Sequence, residues 1–211
     1  MRPAARYDGV RARPHKLLAS SHTDIVKFWS ALTAMETMTR EGMARDEKGR
    51  MLSPATRSIL RLLLLTGQRR GEVAGAMKSE LELDDDEPVW TIPGSRTKNG
   101  LMHRLPLCPM AAAEFRKAVE ASPRKSPYVF PSPDDPINST ITPVAVTRSM
   151  ARLVAELKIS TVSPHDLRRT VGTELARLGL PVHVRSLVLN HSREAVHDVG
   201  QEIARSPSQG P

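Results

Sequence analysis

His165 and Arg168 stand three residues apart in the stretch Ser163–Thr170, which reads SPHDLRRT. At that spacing an imidazole and a guanidinium project from one face of a helical turn. Ser163 fits a helix N-cap, Pro164 the first helical position, and Asp166 the place of a capping-box acid. A helix start already favours anions, because its unpaired N–H groups and its dipole both point positive. The stretch therefore suits a phosphate, although a capped surface helix with basic side chains has the same pattern.

Further cations occur elsewhere in the chain. Arg69, Arg70 and Glu72 follow the apolar run Ile59–Leu65, so the arginines beside this core require Glu72, a ligand phosphate or water as partner. Lys98 lies within Arg96-Thr97-Lys98-Asn99-Gly100, between the strand-like segments Val89–Ile92 and Met102–Leu107. Asn-Gly is the strongest short hairpin signal, which places Lys98 at a hairpin tip where a long cation can swing toward a ligand. Tip lysines also serve simply as solubilising residues.

The elements that position these groups are mostly helical. Ser21-His22-Thr23-Asp24 resembles a capping box and opens a helix burying Ile25, Phe28, Trp29 and Leu32. Residues 40–52 read as a loop. Ser53-Pro54 starts a central core helix through Leu65, which Gly67 ends. A short helix from Gly71 to Met77 and an acidic turn at Asp84–Glu87 precede the strands. Helices follow at Met110–Ala121, Pro143–Leu157, Ser163–Leu178 and Pro181–Leu189, with Val129-Phe130-Pro131 extended. The expected fold is mainly helical α+β with a small antiparallel sheet near residues 88–107.

The 211 residues carry a formal charge of +8 and a pI near 10.1, with aromatics at 3%. Such a balance favours a polyanionic partner, most simply nucleic acid. Cys108 is the only cysteine, which excludes a disulfide framework and a thiolate metal cluster and suits a reducing, intracellular setting. The aliphatic run Leu62–Leu65 is far too short to span a bilayer, and the N-terminus lacks the apolar segment of a secretory signal.

TGQRRGEV at Thr66–Val73, RTKNG at Arg96–Gly100, HDLRRT at His165–Thr170 and LNHS at Leu189–Ser192 occur in that order. Together they resemble the catalytic domain of the tyrosine recombinases, the phage and prophage integrases, over about residues 20–199. The resemblance implies that Arg69 and Arg168 grip the scissile phosphate and stabilise its transition state. It implies that Lys98 protonates the leaving 5′ oxygen, His165 takes or shares the nucleophile's proton, and His191 hydrogen-bonds a phosphate oxygen. Glu72 matches an acidic position and orients Arg69. Arg70, Arg96 and Arg169 join Arg69, Lys98 and Arg168 as expected DNA contacts. No cofactor and no metal are implied, since side-chain cations do the work of Mg²⁺.

Two departures accompany the match. The family's nucleophilic tyrosine, which would form a 3′-phosphotyrosyl link, lies roughly nine residues after the second histidine. Counting from His191, that position is Gly200, and the only tyrosines are Tyr7 and Tyr128. Family members also carry further domains before the catalytic one. The expectation is therefore a truncated, cleavage-defective integrase: residues 1–20 a basic arm or linker, 21–199 the catalytic domain, and 200–211 a disordered or non-native tail. Its expected partners are double-stranded DNA and other integrase protomers. It would be monomeric in isolation and reside in the bacterial cytoplasm, associated with the nucleoid when DNA-bound. The alternative is a non-enzymatic DNA-binding regulator, with Arg168–Leu189 read as helix-turn-helix.

Overall fold

The computed structural model describes residues 22–37, 52–159 and 162–191. The expected arm at 1–20, the Ser21 cap, most of the 40–52 loop and the tail with Gly200 lie outside the described residues.

Helix α2 (Pro54–Thr66) is the axis of the fold, and Ile59, Leu60, Leu62 and Leu63 are fully buried along it. Ser53 caps its start by accepting the Thr56 N–H, and Gly67 ends it in the left-handed conformation at φ 65°. A side chain at Gly67 would also collide with Leu189 and Val171, the nearest atom lying 2.9 Å from the added carbon. Glycine is thus required there twice, by conformation and by the close approach of later elements. Around α2 pack α1 (His22–Thr37), α3 (Arg70–Ala74), α4 (Pro109–Ala121), α5 (Pro143–Glu156) and α6 (Pro164–Arg177). The seventh helix, α7 (Val182–Val188), follows α6 after a turn through Gly179 at φ 77°.

A three-stranded antiparallel sheet, in the order β1 (Leu81–Glu82), β2 (Val89–Ile92), β3 (His103–Pro106), covers one side. Its register pairs Val89 with Pro106 and Ile92 with His103. Trp90 joins sheet to helices, packing edge-on to Phe115 of α4 at 5.2 Å between centroids, with its indole N–H on Glu80. The expected α+β class and small sheet are therefore present.

Several local expectations differ from the fold. The connection between β2 and β3 is not a tight Asn-Gly hairpin. It is a lobe spanning residues 93–102 that contains a 3-10 turn at Gly94–Arg96. Helix α3 stops at Ala74, short of Met77, because Met77 leaves the helix to bridge with Tyr128. The core helix is not apolar all round either. Arg61 is buried in its middle, where its guanidinium meets carboxylates from α1 and α4.

Candidate phosphate-binding site

The C-terminal end of α2 delivers the first arginine. After Gly67, Arg69 takes the N-cap position of α3, and Glu72 lies in the first turn of that helix. Glu72 is 3% exposed. One of its oxygens accepts the Arg69 backbone N–H at 2.9 Å and the other pairs with the guanidinium at 3.0 Å. The carboxylate therefore fixes both the main chain and the side chain of Arg69.

Helix α6 delivers the second arginine. The Ser163–Asp166 capping box forms, with Asp166 accepting the Ser163 N–H at 2.9 Å and its hydroxyl at 2.7 Å. Arg168, one turn further on, is 4% exposed. It donates to the Gly67 carbonyl at 2.8 Å and to the Leu189 carbonyl. Its pKa falls to about 10, first because burial disfavours the charge and then because Arg69 is close. Two guanidiniums thus face each other with Glu72 as the nearby counter-charge.

Between them opens a cleft of about 330 Å³, lined by Gln68, Arg69, Arg70, Ser163, Pro164, His165 and Arg168. Arg70 lines it while donating to the Thr147 hydroxyl. His165 is exposed at the cleft, and partial loss of water around its ring, then the charge of Arg169, lowers its pKa from 6.5. The His191 pKa is likewise lowered, by burial and then by Arg168 and Arg69. Near neutrality both rings are uncharged acceptors or donors, ready to gain a proton when an anion arrives. The surplus of positive charge, set on a helix start, suits a phosphate group.

The motif residues converge on Leu189-Asn190. Arg168 donates to the Leu189 carbonyl, Arg69 to that of Asn190 at 3.4 Å, and Asn99 to the Asn190 side-chain oxygen at 2.8 Å. Neither Lys98 nor His191 lines the cleft: the Lys98 side chain is exposed on the 93–102 lobe, and His191 is exposed beyond Asn190, close enough to feel the charges of Arg168 and Arg69. Arg96 points inward. It pairs with Glu80 at 2.8 Å and donates to the carbonyls of Glu72 and Gly75. A side chain at Gly75 would run into that guanidinium. Arg96 therefore acts as a buckle between lobe and α3, and its guanidinium is not free for DNA as the sequence had suggested.

The model of the phage integrase family matches residues 36–197, more than three quarters of the chain. The chain belongs to the phage integrase family. No curated protein sequence matches it. Among solved structures, the integrase domain is similar to the XerH site-specific recombinase bound to difH substrate. That match has a TM-score of 0.65 at 14% identity, covering 92% of this chain and 53% of XerH. It is also similar to the Tn1549 transposon integrase in complex with transposon right end DNA (TM-score 0.65, 16% identity, 92% and 67% covered). A lambda integrase dimer bound to a core site gives a TM-score of 0.56 at 15% identity, with 81% and 57% covered. The chain thus spans about half the length of XerH.

The motifs assign no role to two buried residues of this integrase domain, although Gln68 lies within TGQRRGEV. Gln68 is fully buried and its amide donates to the carbonyls of Thr66 at 2.9 Å and Val188 at 2.8 Å, strapping the end of α2 to the end of α7. Its carbonyl oxygen has no partner. His103, on β3, is buried with Nε2 unpartnered. Burial lowers its pKa, while Glu72 and the Val188 carbonyl oppose that and Arg168 and Arg69 add to it. Strand alternation is the signal that could have found His103, since residues 103 and 105 face inward while 104 and 106 face out.

Proposed function

We propose that residues 21–199 are the DNA-phosphate-binding catalytic domain of a site-specific recombinase, the fold in which the phosphotyrosyl reaction of integrases takes place. The observation that carries this reading is the cleft between Arg69 and Arg168, with His165 and Arg70 on its wall and Glu72 as the nearby counter-charge. Arg69 and Arg168 would hold the non-bridging oxygens of a phosphodiester through paired N–H donors and stabilise charge developing there. His165 would share the proton of the attacking hydroxyl, His191 would donate to a phosphate oxygen, and Lys98 would protonate the leaving 5′ oxygen. Arg70 and Arg169 would contact flanking phosphates. Double-stranded DNA and other integrase protomers are the partners this reading calls for. Tyr128 is not a candidate nucleophile, because its hydroxyl donates to the Asn138 carbonyl and it is absent from the cleft wall.

The test is duplex-DNA binding across a salt series for the wild-type chain, Arg69→Ala, Arg168→Ala and a control, Arg116→Ala on α4. Each lost phosphate contact should flatten the plot of log K against log salt by about 0.9. The two cleft variants should show that change and the control should not. Equal affinity in all four would refute the reading, leaving only attraction by net charge.

A further inference from the structure

On the reading just proposed, Lys98 must reach a phosphate, yet its side chain is exposed on a lobe that touches the cleft only indirectly. The lobe is internally stiff. A side chain at Gly94 would meet the Gly100 carbonyl at 2.3 Å, so the two arms press together. The Thr97 hydroxyl sits between the carbonyls of Gly94 at 3.0 Å and Leu101 at 2.8 Å. Stiffness alone does not place the tip. Arg96 anchors the base through Glu80 and the α3 carbonyls. At the tip, among the described residues, the bond from Asn99 to Asn190 is the one joining residues 97–101 to another element.

That bond is specified from both sides. The Asn99 side-chain oxygen accepts the Leu101 N–H at 3.2 Å, which fixes which end of its amide faces Asn190. Asn190 is held at φ 48°, a left-handed conformation that glycine adopts at no steric cost and asparagine tolerates. The backbone at this position would accept glycine, so asparagine adds the amide. Asn190 also receives Arg69 on its backbone carbonyl at 3.4 Å and directly precedes His191.

We propose that the Asn99–Asn190 amide pair is a clasp that docks the Lys98 lobe on the phosphate cleft, making both asparagines positioning residues for Lys98. The clasp couples the lobe to the main chain that Arg69 and Arg168 already grip. Lobe position, both arginines and His191 are thereby set by one dipeptide, Leu189-Asn190.

The experiment pairs two measurements on the full chain. Amide hydrogen exchange is compared at Gly100, because Asn99→Ala by itself frees the Leu101 N–H, in wild type, Asn99→Ala and Asn190→Gly, the last removing the amide while keeping the backbone relaxed. Exchange should quicken roughly fivefold in both variants, the effect of one hydrogen bond, while α2 is unchanged. Duplex-DNA affinity is then measured for Lys98→Ala in the wild-type and Asn190→Gly backgrounds. Lys98→Ala should flatten the salt dependence by about 0.9 in the first and by less than half of that in the second. Unchanged exchange overturns the clasp whether or not DNA binds. Quickened exchange with an equal Lys98 effect in both backgrounds overturns the positioning role and leaves the phosphate reading standing. Quickened exchange with binding indifferent to Lys98, Arg69 and Arg168 alike removes the phosphate reading, and the inference with it.

Discussion

Two arginine clusters flank the same helix, one midway along α2 and one past its end, and they are balanced differently. Midway along α2, Arg61 donates to Glu114 at 3.1 Å, to Glu36 at 2.6 Å and to the Leu32 carbonyl at 3.1 Å, with its guanidinium 5.7 Å from the Trp29 ring. Lys117 completes the group on the other oxygen of Glu36. Two cations pair directly with two carboxylates, while Arg57 stands nearby and donates to the Leu52 carbonyl. Past the end of α2, Arg69 and Arg168 share the single carboxylate Glu72, and Arg168 is held by main-chain carbonyls instead. A buried charge is costly unless paired. The first cluster is complete as it stands and works as a structural tie. The second keeps uncompensated charge beside an open cleft, which is how a protein stays ready for an anion.

The largest effect should come from breaking the balanced cluster. Arg61→Ala strands Glu114, and with it the inner face of α1, so denaturant unfolding should show a loss of about 3–5 kcal/mol. A loss below about 1 kcal/mol would mean that the pair is not the structural tie described. DNA affinity of the folded protein should be unaffected.

The unbalanced cluster should respond in the opposite sense. Arg168→Gln keeps a donor for one carbonyl and removes surplus charge, so its stability cost should stay within about 2 kcal/mol. Its DNA affinity should fall roughly ten- to a hundredfold, the loss of one charge-assisted contact of about 1.5–3 kcal/mol. Sulfate sharpens the contrast. An anion that binds the folded cleft stabilises it by mass action, by about 2.7 kcal/mol at a hundred times its dissociation constant, and so raises the melting temperature. The response specific to the cleft should persist in Arg61→Ala and vanish in Arg168→Gln. A similar response in both would trace it to general salt effects.

Much of this contrast was legible in residue order, though not all of it. SPHDLRRT announced its capping box because the signal is local, spanning the four residues Ser163 to Asp166. The pairing of Arg69 with Glu72 was legible for the same reason. Arg61 in the run ILRLLLL carries no such local signal, because its carboxylate partners are 25 and 53 residues away. Arg96 misled for the mirror-image reason: a basic residue beside Asn-Gly looks solvent-facing, and only the fold brings Glu80 and the α3 carbonyls to it. The lobe likewise exceeded its turn signal, since Asn99-Gly100 sits inside a segment closed by Gly94 against Gly100. Family motifs located the cleft and even contain its straps, Gln68 and Asn190, but the partners of those straps lie 120 and 91 residues away, so residue order does not show what they hold.

The smallest predicted effect concerns protons. His103, His165 and His191 all titrate below their ordinary value of 6.5, and burial is the leading cause in each. In the unfolded chain they protonate near 6.5, so below that pH the unfolded state binds more protons and stability falls as pH falls. Above 6.5 the contribution is flat. Each ring can add at most about 1.4 kcal/mol per pH unit over the window between its two pKa values. Unfolding curves should therefore weaken as pH falls below about 6.5, and His103→Gln should flatten part of that slope; an unchanged slope would remove His103 from the titrating set. The cleft offers a way to separate the three rings. A bound phosphate favours the charged forms of His165 and His191, raising their pKa values, so DNA should bind more tightly as pH falls through the same window. With saturating DNA the acid-side loss of stability should shrink, and the part that survives belongs to His103, buried on β3 with no carboxylate of its own other than the Glu72 it shares with Arg69.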